Sequence, residues 1–283
     1  MSMNCILLVD GRRVDVADLI GCGIDGFVIR NGCHALKIPK LLGRLRPDGK
    51  IEAHSDNDLY LEHLEGEKRI YERLREVSGV ATCIEQTSNG ILLEYYRNGS
   101  LDDYIACHAS PSMAWKWHWA LQATEIIARC HDKGVLVFDI ALRNFLLADD
   151  FSLRIIDFTN SSLLPQDEDI TRVNVDGCTA GLDLLHLSNV IYSIMTWQRF
   201  SIDCAMVSEW PNTNQIPNLE GSEYAQMIQK CWERRYTAIQ ELEHDLRLCA
   251  NASPSAATPE NQNPRDIHLP VNVQSSSPAL PPT

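Results

Sequence analysis

The 283-residue chain carries a formal net charge of −13, with 45% hydrophobic and 22% charged residues. That balance describes a globular protein long enough for one large bilobal domain, and it argues against nucleic acid or an anionic membrane surface as the main partner. No stretch reaches the length of a membrane span, and the apolar run Cys5–Val9 is too short for a signal-peptide core, so a cytoplasmic or nuclear location is expected. The ten cysteines are scattered without C-x-x-C or Cys/His ligand spacing, which points to reduced thiols rather than disulfides or a structural zinc site.

Residues 1–11 form an N-terminal extension, and strand-like alternation broken by glycines follows up to residue 40. Within it, Gly21-Cys22-Gly23-Ile24-Asp25-Gly26-Phe27-Val28 is a G-x-G-x-x-G-x-V run. Such glycines also occur in dinucleotide sites, but there a helix follows them. Here a strand continues over Phe27–Arg30, turns at Asn31-Gly32 and leads into another strand over Ala35–Ile38. Strand, glycines and strand suit a flap whose missing side chains let backbone approach phosphate.

Lys37 has apolar neighbours on both sides, and an unpaired buried ammonium is costly. It is either an edge-strand lysine with its head in solvent or a phosphate ligand paired with a carboxylate. Lys40–Asn57 is polar and reads as a loop, and Asp58–Val77 reads as a helix with an apolar stripe at Leu64, Ile70, Leu74 and Val77. Glu67 is the best partner for Lys37 on that helix, with Glu62, Glu65 and Glu72 as rivals.

Two further strands, Val80–Gln86 and Gly90–Tyr95, end in Glu94-Tyr95-Tyr96, a polar turn and a helix start. Met113–Lys133 is a helix stopped by Gly134, and its tryptophans at 115, 117 and 119 are packing residues, one of them expected at the surface. Val137–Thr159 reads as a loop bearing Asp139 and Asn144, then strands Phe145–Ala148 and Leu153–Ile156 around Ala148-Asp149-Asp150, then Asp157. Each of these acids alone is most simply a turn or cap residue. Together they set two carboxylates and an amide at one end of a hairpin, which suits divalent metal and phosphate. Helices are expected over Leu182–Trp197, Ser222–Trp232 and Thr237–Leu248, and from residue 250 a Pro/Ser-rich composition marks a disordered tail.

In order, the glycine flap, Lys37, Glu67, the Glu94–Tyr96 turn, D-x-x-x-x-N at Asp139 to Asn144 and D-F at Asp157-Phe158 resemble the protein kinase superfamily across about residues 12–249. The E-x-x-I-Y-E-R-L helix and the Cys231-Trp232 pair resemble its small, divergent fungal members most. The resemblance implies an α+β bilobal protein-kinase-like fold. An N-lobe of antiparallel β-sheet plus one helix would span about 12–95, and a mainly α-helical C-lobe about 96–249. It implies ATP and Mg²⁺ as cofactors. Gly21, Gly23 and Gly26 would cover the phosphates; Ile20, Val28 and Ala35 would pack on adenine with Leu146 beneath and Leu93 behind; backbone at Glu94 and Tyr96 would bind its edge. Lys37, held by Glu67, would bind the α/β-phosphates; Asn144 and Asp157 would bind Mg²⁺; Asp139 would orient the substrate hydroxyl, with Arg143 as a cation beside the γ-phosphate.

The family's H-R-D is Val137-Phe138-Asp139, its D-F-G is Asp157-Phe158-Thr159, and no A-P-E precedes Asp183. Loss of the arginine makes this a non-RD sequence in which activation-loop phosphorylation has no partner, and peptide docking is altered. The resemblance therefore implies a protein kinase acting on a protein hydroxyl, Ser/Thr ahead of Tyr, without phospho-activation. A nucleotide-binding pseudokinase serving as an interaction scaffold is the alternative, and a small-molecule phosphotransferase comes third.

Overall fold

The computed structural model describes residues 3–202, 204–219 and 221–253. The strands are β1 (Met3–Ile6), β2 (Leu19–Cys22), β3 (Gly26–Asn31), β4 (His34–Pro39), β5 (Leu42–Leu45), β6 (Ile51–Ala53), β7 (Cys83–Gln86) and β8 (Ile91–Glu94), with helix α1 (Asn57–Arg73) between β6 and β7. Then follow α2 (Leu101–Cys107), α3 (Met113–Asp132), β9 (Val135–Leu136), β10 (Phe145–Leu147), β11 (Leu153–Ile155), β12 (Ser162–Leu163), α4 (Ala180–Thr196), α5 (Ala225–Trp232) and α6 (Ile239–Ala252). An antiparallel N-terminal half with one long helix and a mainly helical C-terminal half make the α+β kinase-like arrangement.

Five strands pair antiparallel in the order β2-β3-β4-β8-β7, so β4, which bears Lys37, is central. Its register sets Lys37 opposite Val28 on one side and Ile91 on the other. Two tight approaches fix the glycines. A Cβ at Gly26 would stand 2.8 Å from the Ile38 carbonyl oxygen, and one at Gly90 would stand 2.0 Å from that of Lys37.

The expected loop over 40–57 is instead the hairpin β5–β6, which pairs with β1 of the N-terminal extension to form a second sheet, β1-β5-β6. Pro47-Asp48-Gly49 turns it, with the Arg46 amide donating to the Lys50 carbonyl at 2.8 Å and Gly49 at φ 81°. Cys5, Leu7 and Leu41 seat this sheet on Tyr60 and Leu61 of α1, and both groups of the Asn57 side chain bond the Leu42 backbone at 3.0 Å.

The main core runs from α1 through β8 into the helices, and α3 lies among α4, α6 and β11. All three α3 tryptophans are buried, against the expectation of one at the surface: so much of the helix is covered that each ring finds a neighbour. Trp119 donates to the Phe151 carbonyl at 2.8 Å and stacks on Trp197. Helix α6 runs on to Ala252, beyond the expected limit near residue 248, and the rest of the Pro/Ser-rich tail lies outside the described residues.

Candidate functional site

The first part of the site is the flap. Residues 23–25 join β2 to β3, with the Gly23 amide donating to the Gly26 carbonyl at 2.8 Å. Lys40 ties it down from β4's end, its amide to the Asp25 carbonyl at 2.9 Å and its Nζ to the Gly23 carbonyl at 3.1 Å. His63 of α1 pairs with the Asp25 carboxylate at 3.1 Å, a flap-to-helix contact that nothing in the linear sequence marks.

Beneath the flap, Lys37 meets Glu67. Glu67 shares the inner face of α1 with Leu64, Ile70 and Tyr71, whereas the rivals Glu62, Glu65 and Glu72 point to solvent. Lys37 Nζ lies 2.7 Å from Glu67 and 2.7 Å from Asp157 Oδ1, and donates to Thr159 Oγ1 at 2.9 Å. Burial works against the Lys37 ammonium, yet the Glu67 and Asp157 carboxylates outweigh it and hold its pKa above the ordinary lysine value. Asp157 is the mirror case: burial would raise its carboxyl, but Lys37 and the Thr159 hydroxyl hold it below the usual value. Asp157 sits at φ 65°, a left-handed backbone just after β11, and the Phe158 amide behind it donates to Glu67 Oε1 at 3.0 Å.

Asp139 and Asn144 come together on the loop before β10. Asn144 donates through Nδ2 to the Asp139 carbonyl at 2.9 Å and to Asp139 Oδ2 at 3.0 Å; Arg143 binds Asp139 Oδ1. The sequence expectation set Arg143 beside a phosphate; here its partner is Asp139. With its Nδ2 so used, Asn144 keeps Oδ1 for a partner beyond the described residues, and Asp157 keeps Oδ2. Both are hard oxygens of the kind that fit Mg²⁺, which takes few protein ligands and completes its shell with phosphate and water. Among the described residues no set of three His, Cys, Asp or Glu side chains could hold a metal unaided.

Asp183, in the first turn of α4, is the anchor that sequence reading missed. Wholly buried, it accepts from the Val137 amide at 2.8 Å, the Phe138 amide at 2.7 Å and His131 Nε2 at 2.8 Å. His186, one turn on, reaches the Phe138 carbonyl at 2.6 Å. These bonds hold Phe138 at φ 60° just before Asp139. An aspartate amid leucines, Gly181-Leu182-Asp183-Leu184-Leu185, was the available signal, because buried carboxylates need partners.

The residues expected around adenine divide by burial. Ala35 and Leu93 are buried and face each other in register between β4 and β8. Val28 and Leu146 are half-buried and Ile20 is exposed, so each leaves apolar surface open. Gly21 lies opposite Val28. The Tyr96 hydroxyl accepts from the Thr82 amide at 3.1 Å and donates to Glu94 Oε2 at 3.1 Å, which rigidifies the turn between the halves.

A family model for protein tyrosine and serine/threonine kinases matches residues 59–179. That span holds Glu67, the Glu94–Tyr96 turn, Asp139, Asn144 and Asp157, while the flap and Lys37 precede it. NUAK family SNF1-like kinase 1 of Mus musculus is 35% identical over 78 residues, 28% of this chain and 12% of that protein. PR5-like receptor kinase of Arabidopsis thaliana is 30% identical over 99 residues, 33% of this chain and 15% of that protein. The chain thus spans only a small part of these curated relatives. The matched segment, together with the sheet order and the Lys37–Glu67 pair, shows a protein-kinase-like domain.

Proposed function

We propose that the chain is an ATP- and Mg²⁺-dependent protein kinase that moves the γ-phosphate to a protein hydroxyl, serine or threonine ahead of tyrosine. The observation that carries this is the assembled polar set: Lys37 bonded to both Glu67 and Asp157, and Asp139 bonded to Asn144. Ile20, Val28, Ala35 and Leu146 would enclose adenine, with the backbone at Glu94 and Tyr96 at its edge, and Gly21, Gly23 and Gly26 over the phosphates. Lys37 would bind the α/β-phosphates, oriented by Glu67. Asn144 and Asp157 would hold Mg²⁺, which supplies positive charge against the developing negative charge on the transferred group. Asp139 would orient the substrate hydroxyl and accept its proton, its carboxylate steered by Asn144 and Arg143. Catalysis of this kind is mostly positioning and charge stabilisation.

Independence from activation-segment phosphorylation is supported by Phe138. It packs in an apolar cluster with Leu136, Leu164, Ala180, Ile170, Val173 and Val175, where an arginine would have needed an anion. A second reading, a nucleotide-binding pseudokinase acting as a scaffold, draws on both Asp139 oxygens being engaged, one by Arg143 and the other by Asn144.

The test is transfer from [γ-³²P]ATP with Mg²⁺ to the protein itself and to generic protein substrates. Wild type should transfer, and Asp139→Asn and Lys37→Met should not. Nucleotide binding without transfer by wild type would favour the scaffold, and transfer surviving in Asp139→Asn would remove Asp139 from its role.

A further inference from the structure

Thr159 stands where the superfamily motif has glycine, so this chain places a hydroxyl where none is usual. An ammonium has three N–H donors. Those of Lys37 are all engaged: Glu67 and Asp157 Oδ1 take it at 2.7 Å and Thr159 Oγ1 at 2.9 Å. Thr159 is held for this task from two further sides. Its Oγ1 lies 2.9 Å from Asp157 Oδ1 and 3.2 Å from Glu67 Oε2, either of which can accept its one proton while the oxygen lone pairs face Lys37.

We propose that Thr159 competes with nucleotide phosphate for Lys37 and so sets the affinity of the nucleotide site. The inference rests on the reading of that site as an ATP site and deepens it. A phosphate oxygen reaching Lys37 must displace one of three acceptors. Two are carboxylates whose attraction to the ammonium is strong, and Glu67 is buried with it, so neither is the easy one to release. The neutral hydroxyl is the weakest of the three, and its release leaves the Lys37–Glu67 pair intact. Thr159 thus satisfies the ammonium in the empty protein, which stabilises that state and opposes ligand entry. Removing the hydroxyl should therefore move two quantities in opposite directions: the unliganded protein loses stability and nucleotide gains affinity.

The experiment measures ADP binding calorimetrically, with and without Mg²⁺, and the unliganded melting temperature. It compares wild type with Thr159→Ala, the near-isosteric Thr159→Val, and Thr159→Ser, which keeps the hydroxyl. One displaced hydrogen bond corresponds to roughly a two- to tenfold gain in ADP affinity for the Ala and Val variants. That gain should appear in both metal conditions, alongside a lower melting temperature, with the Ser variant matching wild type. Ala and Val variants that bind ADP no more tightly than a binding wild type would overturn the inference while leaving the nucleotide site standing. A gain confined to the Mg²⁺ arm would also overturn it, because the effect would then act through Asp157 rather than Lys37. Absence of ADP binding in wild type and every Thr159 variant would instead remove the ATP-site reading, and this inference with it.

Discussion

Two lysines of this chain are buried to a similar degree, Lys37 at 9% exposure and Lys116 at 6%, and they serve opposite ends. Lys37 is surrounded by carboxylates, which raise its pKa despite burial. Lys116, on α3, donates to the Met195 carbonyl at 2.9 Å and lies 5.8 Å from the Trp197 ring. With no carboxylate to offset it, burial lowers its pKa. Met195 belongs to the last turn of α4, where carbonyls lack intrahelical partners, so Lys116 caps that helix. The partner's charge, not the burial, separates a lysine held among carboxylates from a lysine that ends a helix. Acids divide the same way: Asp157 faces an ammonium, whereas the wholly buried Asp183 receives backbone amides and fastens loop to helix.

Lys37→Met breaks this comparison most severely. It strands the buried Glu67 carboxylate, and losing one partner of such a pair costs about 3–5 kcal/mol. A urea melt should register that loss, and phosphoryl transfer should fall at least about a hundredfold. Asp183→Asn comes next. An amide offers one acceptor oxygen where the carboxylate now serves Val137, Phe138 and His131, so at least one buried donor is orphaned at a cost of about 1–3 kcal/mol. Thermal unfolding should show the loss, with turnover falling further than ADP affinity because Phe138 adjoins Asp139. Equal losses in both would reduce Asp183 to a structural residue without special bearing on the catalytic loop.

The pH response sharpens the contrast. Asp157 has a folded pKa below the ordinary aspartate value of 3.8, so it binds fewer protons than the unfolded chain in that interval. Its stabilisation is therefore complete above about pH 4 to 5 and lost as pH falls through the folded pKa. The melting-temperature gap between wild type and Asp157→Asn should hold steady at neutral pH and close as pH falls below the ordinary carboxylate range. A gap unchanged over that range would mean that the Lys37–Asp157 pair does not form in solution.

Where the sequence was legible, local pattern and burial agreed. Glu67 could be preferred because it falls on the side of α1 that carries Leu64 and Ile70, and the hairpin of β10 and β11 followed from two apolar runs around Asp149-Asp150. Illegible features depend on residues far apart in sequence. Strand β1 finds β5 across some forty residues, Met3 against Leu45, and no short-range signal in the polar 40–57 stretch announces that pairing. The His63–Asp25 contact and the triple use of Asp183 are likewise products of chain closure. Thr159 was visible as a departure from glycine, but the hydroxyl's three neighbours required the fold.

Lys116→Met is the smallest expected effect and the cleanest check on the contrast between the lysines. Methionine matches the stem in length and cannot donate to the Met195 carbonyl, a loss of about 1 kcal/mol. Against that, the variant no longer keeps out of water an ammonium whose partners among the described residues are a carbonyl and a ring. The two terms nearly cancel, so stability should stay within about 1 kcal/mol of wild type, with transfer activity unchanged. The sign with pH follows from the lowered pKa. Between that value and 10.5 the unfolded chain binds more protons at Lys116, so wild-type stability gains relative to the variant as pH rises through the window. Lys37, with its raised pKa, contributes the opposite slope, and only above 10.5. Chemical denaturation of both proteins from neutral pH into the alkaline range would show it. A variant destabilised as much as Lys37→Met would mean that a neutral carbonyl binds a buried ammonium as firmly as two carboxylates do, and partner charge would no longer separate the two sites.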